Sequence, residues 1–429
     1  MLNRIIDVLR SSRADAWEVT ETVTEGWEFY FIRKALDQNR VKSLKQYTVK
    51  VFLRSADGKY LGSASGEIPP TADEAEIRRL TDQLLLAAGL VKNPFYTLQQ
   101  PSAGEAEAVP AAPADVAEIS AAFLSALKRV PESESADLNS VEVFVSDVRT
   151  HFVSSEGVDV VSRHPSSMVE AVVNARKDGR EIELYRMYTS GSCGEERLLS
   201  DLTEVLEFGK ARLEAVPTPS LQKYDVVFST EAAKEIYYWY ADRMNAAYKH
   251  MKYSDWEIGK PVAEAADGAD RVTLTAVPFL PNSSRNYAFD AEGAPVRETV
   301  QIRDNVAVAF LGARQYSQYL GLKDSFQPSN LRVSGGREGA EALRTGDFLE
   351  PVEFSDFQVD ALTGDIAGEI RLAFWHHGGQ VTPVTGGSVS GNMKNYSKTI
   401  RFSRETRQYD RLEIPAVTRL RDVTVTGAE

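Results

Sequence analysis

The sequence predicts an α+β fold, in which helices and mainly antiparallel strands occupy separate stretches of the chain. Two observations support this prediction. A helix, extended segments, an Asp-Gly turn and a second helix follow one another twice within residues 1–218. Residues 219–429 are rich in Val, Thr, aromatic residues and Gly-Gly turns, a composition typical of antiparallel sheet. We therefore expect duplicated N-terminal α/β units followed by a mainly antiparallel β C-terminal domain.

Residues 1–98 form the first predicted domain, an α/β unit. Leu2, Ile5, Ile6 and Leu9 recur at helical spacing, so a short helix is expected at the start. The elements predicted after it are extended segments around residues 27–31 and 47–53, a turn at Asp57-Gly58 and a helix over residues 73–90.

Residues 99–115 are predicted to be an Ala/Pro-rich linker or long surface loop, because they lack any periodicity of bulky apolar residues. Residues 116–218 are predicted to repeat the first domain. The elements expected there are a helix over 116–130, strands at 141–145 and 168–174, a turn at Asp178-Gly179, a strand over 181–188 and a helix over 195–213. The two Asp-Gly turns lie 121 residues apart, which favours a duplication. The alternative is coincidence, since this order of elements is common.

The C-terminal domain is predicted over residues 219–429, after the proline-containing segment Val216–Ser220. A helix over residues 231–250 opens it. The apolar stripe predicted to be buried consists of Ala233, Ile236, Tyr237, Tyr240, Met244 and Tyr248. Tyr238, Trp239 and Arg243 lie outside this stripe, and the last two are four residues apart, so the guanidinium could stack on the indole. An ordinary amphipathic helix with a stabilising surface pair is the simpler interpretation of these three residues.

Composition favours a multidomain cytoplasmic protein. The 429 residues are 43% hydrophobic and 26% charged, close to the globular average, and suffice for roughly two or three domains. The N-terminus lacks an apolar run long enough for a signal peptide or a membrane span. The single cysteine, Cys193, excludes an intrachain disulfide, which suits a reducing compartment.

The net charge of -13 disfavours direct binding to nucleic acid, because an acidic chain repels a polyanion. Six arginines between Arg401 and Arg421 are interspersed with Asp and Glu. We interpret this segment as a strand surface of mixed charge rather than a nucleic-acid patch.

Four stretches of the C-terminal half resemble one known family. They are Phe289–Val296 with its Asp, Glu, Gly and Pro; residues 306–322, which end in Tyr-Leu-Gly-Leu; Leu362–Asp365; and residues 379–393, with Pro383, Val384, Gly387, Gly391 and Asn392. Together they resemble the TldD/PmbA family, known as modulators of DNA gyrase. The resemblance implies a metallopeptidase-related fold.

The resemblance also implies where a zinc site would lie. TldD-type members carry His-Glu-x-x-x-His in the first helix of this domain, and the positions that match its two histidines and glutamate are Tyr238, Arg243 and Trp239. None of the three side chain types is a usual zinc ligand. The family's cysteine ligand near the C-terminus also has no counterpart in residues 404–415. We therefore expect no metal, no cofactor and no catalytic residue in this chain, and hence no hydrolysis by the chain alone.

The family context suggests a partner and a substrate. The resemblance implies pairing through the C-terminal domain with a TldD-like zinc protease subunit, the pair enclosing a cleft that holds an unfolded, extended peptide for leader-peptide or antitoxin processing. Tyr238, Trp239 and Arg243 would then bind substrate or form the interface. Strand addition to a sheet edge is the expected mode of binding, because backbone pairing tolerates many sequences.

Two alternatives remain at the level of sequence. The first is a homodimer that binds peptides or acts as a scaffold without proteolytic output. A neighbouring gene encoding His-Glu-x-x-x-His on the same fold would favour the protease complex over it. The second is an independent hydrolase that uses Cys193 or the adjacent His376 and His377. Cys193 precedes a predicted helix that could lower its pKa, but no partner histidine is evident, and two vicinal histidines on a strand point to opposite faces.

Overall fold

One seven-stranded antiparallel sheet organises the N-terminal half. The computed structural model describes residues 1–101, 115–323 and 325–428. The helices of this half are α1 (Leu2–Arg10), α2 (Glu74–Gly89), α3 (Val116–Arg129) and α4 (Glu195–Glu214). Its sheet strands are β1 (Ala16–Ile32), β2 (Ala35–Arg54), β3 (Tyr60–Ile68), β4 (Asn93–Pro94), β5 (Ala136–Ser154), β6 (Asp159–Lys177) and β7 (Arg180–Ser190). Their order in the sheet is β4-β3-β2-β1-β5-β6-β7.

The two predicted N-terminal units share this sheet. Each contains a helix, three antiparallel strands and a second helix, and β1 pairs with β5 from Glu18–Ser154 to Ile32–Ser140. The element order is therefore the expected one. The duplication itself and the boundaries at residues 98 and 116 stay predictions. Most of the predicted linker, residues 102–114, lies outside the described residues.

The first hairpin is much longer than its apolar pattern predicted. β1 and β2 contain 17 and 20 residues, and most of β2 before Tyr47 is exposed. The two Asp-Gly segments are turns, as expected. Gly58, Asp178 and Gly179 have positive φ angles of 70°, 50° and 75°, the left-handed conformation that Gly and Asp tolerate best.

The C-terminal half is mainly antiparallel and confirms the predicted α+β class. Its helices are α5 (Ala233–Arg243), α6 (Ala246–His250), α7 (Arg314–Tyr319), α8 (Ala340–Leu343) and α9 (Met393–Tyr396). The strands are β8 (Val216–Pro217), β9 (Leu221–Phe228), β10 (Leu274–Val277), β11 (Thr299–Arg303), β12 (Val306–Ala307), β13 (Asn330–Val333), β14 (Phe348–Val359), β15 (Asp365–His377), β16 (Gln380–Thr385), β17 (Ser388–Asn392), β18 (Arg401–Phe402), β19 (Thr406–Tyr409), β20 (Leu412–Pro415) and β21 (Thr418–Thr426).

These strands form two sheets. One has the order β12-β11-β10-β13-β20-β19, and the other β14-β9-β21-β17-β15-β16-β8. In the second sheet β14 also pairs with β15, which closes β14, β9, β21, β17 and β15 into a ring. α5 packs its buried residues into the core that both sheets share.

The single helix predicted over residues 231–250 is two helices. α5 ends at Arg243, and Asn245 adopts an extended conformation with φ -80° and ψ 133°. The Asn245 side chain accepts a hydrogen bond from the N–H of Ala247, so it caps α6. This cap explains the break, and sequence periodicity alone did not reveal it.

α4 joins the two halves of the protein. Leu202 and Leu206 pack against the N-terminal sheet, and Phe208 contacts Phe374 of β15 with ring centroids 6.2 Å apart. At the end of β7, the Gly191 N–H donates to the Asn282 carbonyl at 2.6 Å. A Cβ atom on Gly191 would lie 2.6 Å from the carbonyl oxygen of Ser283, so this approach requires glycine. This contact holds the end of β7 against the Asn282 segment of the C-terminal half.

Within the described part of the chain, no helix is long and apolar enough to cross a membrane.

Candidate functional site

β7 is an edge strand with one free side. In the described chain it pairs with β6 from Ser167–Ser190 to Lys177–Arg180, and it ends the sheet. Tyr185 and Met187 are 54% and 46% exposed. The outer N–H and C=O groups of an edge strand can pair with an added extended chain. The arrangement therefore offers a place for a peptide to bind through its backbone.

The second half of this strand lines a large cleft between the two halves of the protein. The cleft has a volume of about 1050 Å³ and is bounded by β7, α4, the start of α5, β14 and the segment from β19 to β20. Apolar side chains that line it are Phe123, Leu198, Val205, Phe208, Val352 and Phe354. Its size and mixed lining are typical of a ligand-binding site.

Tyr409 lies at the centre of a cluster of cations in this cleft. The charged groups of Arg407, Arg197 and Lys234 lie 5.3, 5.9 and 6.0 Å from its ring centroid. Asp201 is 2.8 Å from both arginines and links them. Burial raises the pKa of Tyr409 to about 12, so the phenol is protonated at neutral pH. The cluster holds β19 against α4.

Several buried polar atoms in the cleft have no hydrogen-bond partner. They are the Tyr188 hydroxyl, the Nε atoms of Arg407 and Arg411, Nδ1 of His164, and Oε1 of Glu353, which forms an ion pair with Arg186. Burial and the nearby Arg285 lower the pKa of His164 to about 4, so this imidazole is neutral. An unpaired buried donor costs about 1–3 kcal/mol, so such atoms are uncommon in a folded protein.

Arg186 and Glu353 form an ion pair across the cleft, between β7 and β14. Glu353 is buried, and burial lowers the pKa of Arg186. Removing one member of such a pair would leave a buried charge, so the pair fixes the distance between the two strands.

The expectation that Trp239 and Arg243 lie on an exposed face was wrong. Both are only 2% exposed. The Arg243 guanidinium lies 5.4 Å from the Trp239 ring and 5.0 Å from the Trp256 ring, and it forms an ion pair with Asp255. The segment after α5 folds back over Trp239, which explains the burial. Neither residue lines the cleft, and their role in substrate binding or at an interface stays a prediction.

Tyr238, the third predicted residue, does line the cleft and is partly buried. Burial raises its pKa, and Arg411 and Lys234 oppose that rise. Its role in binding stays a prediction.

The positions matching the TldD zinc motif do not suit a zinc ion. Trp239 and Arg243 are committed to stacking, and Arg243 donates to the Leu362 and Tyr253 carbonyls, both at 3.3 Å. A zinc site needs about three ligands from His, Cys and carboxylates. In residues 1–101, 115–323 and 325–428, no three such side chains converge.

Cys193, His376 and His377 are not among the residues that line the cleft. Burial and Glu195 raise the pKa of Cys193 to about 12, opposite to the lowering that a helix terminus could give. His376 stacks on Phe348 at 4.0 Å, and His377 stacks on Trp375 at 5.0 Å. His376 and His377 follow each other on β15, and neighbouring strand residues point to opposite faces, as expected.

Sequence reasoning missed Tyr188, Arg407, Tyr409 and Arg411. Arg407 and Arg411 were interpreted as part of a strand surface of mixed charge, solvated or at an interface. The spacing of two between Arg407 and Tyr409 on β19 is a signal that these two share one face, whereas Arg411 lies in the turn before β20. The spacing does not show which part of the protein that face contacts.

The comparisons with known proteins agree with this architecture. Residues 221–427 match the family model of the PmbA/TldA metallopeptidase C-terminal domain. A comparison with curated proteins finds no matching sequence.

Solved structures share the fold along the whole chain. TldE from Thermococcus kodakarensis is 15% identical, with a TM-score of 0.78 and complete coverage of both chains. A candidate modulator of DNA gyrase from Bacteroides thetaiotaomicron is 17% identical, with a TM-score of 0.80 and coverage of 99% of this chain and 98% of that one. A similar protein from Thermotoga maritima is 15% identical, with a TM-score of 0.75 and coverage of 100% and 99%. The C-terminal domain of this chain, residues 221–427, therefore belongs to the PmbA/TldA family, and the chain shares its fold with these structures along its whole length.

Proposed function

We propose that this chain is the non-catalytic, metal-less subunit of a TldD/TldE-type metallopeptidase complex and that it holds an unfolded peptide along β7. The observation that carries the proposal is the free edge of β7 inside a cleft of about 1050 Å³. A cleft of this size accommodates several residues of an extended peptide, and backbone pairing places few demands on their sequence.

The absence of hydrolysis by this chain alone is supported by the residues at the motif positions. Tyr238, Trp239 and Arg243 stand where TldD-type members carry their histidines and glutamate, and the latter two are packed into the core. Peptide hydrolysis would then depend on a TldD-like partner, which we propose docks against the C-terminal domain.

The experiment is to purify the chain alone and together with a TldD-like subunit from the same cell, and to measure zinc content and cleavage of an unfolded peptide. We expect no stoichiometric zinc and no cleavage with the chain alone, and cleavage with the pair. About one tightly bound transition metal per chain, with activity that chelation abolishes, would contradict the proposal. Peptide binding by a self-associated chain that yields no activity with any partner would favour the homodimeric scaffold.

A further inference from the structure

Three hydrogen-bond donors without acceptors belong to residues that line the cleft. The Tyr188 hydroxyl and the Nε atoms of Arg407 and Arg411 are all buried, and all three residues line the cleft. These atoms are shielded from solvent, so an acceptor that enters the cleft reaches each of them after a small rotation of its side chain. Because unpaired buried donors are costly, three in one cleft indicate a ligand that supplies oxygen atoms.

The donors lie beside the strand that would hold the peptide. Tyr188 is on β7 and packs with Leu184 against the helix-covered face of the sheet, whereas Tyr185 and Met187 are exposed on the other face. A peptide paired with β7 directs alternate side chains to each face. Every second side chain would therefore point toward Tyr188 and the β19–β20 segment.

The charge of the cleft favours an anionic acceptor. Six cationic side chains line it, against five carboxylates, in a chain whose net charge is -13. In the described part of the chain, Arg411 and Arg285 have no carboxylate within ion-pair distance. The Arg411 guanidinium donates to the Pro328 carbonyl, and the Arg285 guanidinium donates to the Tyr287 hydroxyl. The Asp410 carboxylate is already engaged by the N–H and hydroxyl of Ser284.

We infer that Tyr188, Arg407 and Arg411 form a subsite for a carboxylate of the bound peptide. The inference rests on the proposed binding of a peptide along β7. The carboxylate accepts hydrogen bonds from the phenol and the two guanidinium groups, and it comes from an Asp or Glu side chain or from the peptide's C-terminus. Charge-assisted hydrogen bonds of this kind are stronger than neutral ones, so the subsite selects acids over their amides.

The test uses the full chain and a pool of random twelve-residue peptides, acetylated at the N-terminus and prepared both as C-terminal acids and as C-terminal amides. Retained peptides are identified by mass spectrometry. We expect about tenfold enrichment of the carboxylate over the matching amide. Enrichment of Asp and Glu over Asn and Gln among C-terminal amides assigns the carboxylate to a side chain. Enrichment of C-terminal acids alone assigns it to the peptide's C-terminus.

Tyr188→Phe and Arg411→Gln are the test variants, because the first removes only a hydroxyl, and the second removes a guanidinium that has no paired carboxylate and one hydrogen bond, to the Pro328 carbonyl. Tyr30→Phe and Arg40→Gln are matched controls on the sheet outside the cleft. We expect the test variants to retain peptides but lose the preference, and the controls to keep both. Far-ultraviolet circular dichroism and urea midpoints verify folding of all four.

The contradicting outcomes are distinct. Peptides retained without any preference for carboxylates would overturn the subsite and leave the proposed function intact, as would equal loss of acids and amides in the test variants. If the wild-type chain retained no peptide, the proposed peptide binding would fail and the subsite with it.

Discussion

Arg243 carries a charge that the fold buries against two indole rings, those of Trp239 and Trp256. Its position four residues after Trp239 predicted the stacking contact, and that contact is present at 5.4 Å. The contact lies in the core because Trp256 returns over the end of α5 and covers the guanidinium at 5.0 Å. Helical spacing identifies neighbours on one helix, but it carries no information about a segment that covers them later. The sequence therefore predicted the pair and not its burial.

This arrangement makes Arg243 a determinant of stability. Arg243→Met keeps much of the volume but removes the ion pair with Asp255 and the hydrogen bonds to backbone carbonyls. We expect a loss of about 2–3 kcal/mol in the free energy of unfolding, measured by urea denaturation. Arg40→Met, at an exposed strand position, is the control and should change it by less than about 1 kcal/mol. Equal effects of the two substitutions would show that the burial of Arg243 is unimportant.

Glu18 makes the free energy of unfolding depend on pH. It is buried on β1, and burial raises its pKa to about 7, reinforced by Glu292 and Asp290 and opposed by Lys50. The folded state thus holds this proton more tightly than the unfolded state, whose pKa is near 4.5. The resulting penalty to stability is complete above pH 7 and fades as the pH falls toward 4.5.

Glu18→Gln removes that penalty. Relative to wild type, we expect a gain in the free energy of unfolding that is about 2 kcal/mol larger at pH 8 than at pH 5. Urea unfolding at the two pH values measures it, with the exposed Glu67→Gln as control. A gain that is the same at both pH values, or larger at pH 5, would contradict the account.

The helices and strands of the fold differ in how clearly the sequence predicts them. α1 and α4 carry regular apolar stripes, and both were predicted close to their observed bounds. β1 and β2 were predicted only in part, because residues 35–46 of β2 are mostly polar and exposed and show no alternating burial. Their strand conformation comes from pairing with β1, which is a tertiary contact. The cleft was not predictable for the same reason, since α4 and β19 meet only in the folded chain.

Gly209 shows why α4 can lie so close to the sheet. A Cβ atom at Gly209 would be 2.8 Å from the Cβ of Ala175 on β6, whereas one at Gly89 of α2 would be 3.9 Å from Leu53. We expect Gly209→Ala to lower the free energy of unfolding by about 1–2 kcal/mol through overpacking. Gly89→Ala is the matched control and should raise it by up to about 1 kcal/mol, since alanine favours helix. Urea denaturation of both variants measures these changes in the free energy of unfolding. Stabilisation by Gly209→Ala would refute the close packing.

At the scale of the whole molecule, the two halves meet along β7, α4 and the β19–β20 segment, and a cleft of about 1050 Å³ lies at that junction. A strand edge, a polar cluster around Tyr409 and unpaired donors share this one place. The central claim is that an unfolded peptide adds to β7 there. The outer side of residues 35–46 of β2 is a useful internal comparison, because β3 pairs with β2 only from Tyr47 onward.

Hydrogen exchange of the full chain, measured by mass spectrometry with and without peptides recovered from the amidated random pool, tests this claim most directly. Added backbone pairing slows exchange of the amides that it covers. We expect slower exchange in residues 185–190 of β7 when peptide is bound, and unchanged exchange in residues 35–46 of β2. Bound peptide that leaves the exchange of β7 unchanged, or that protects β2 instead, would contradict it.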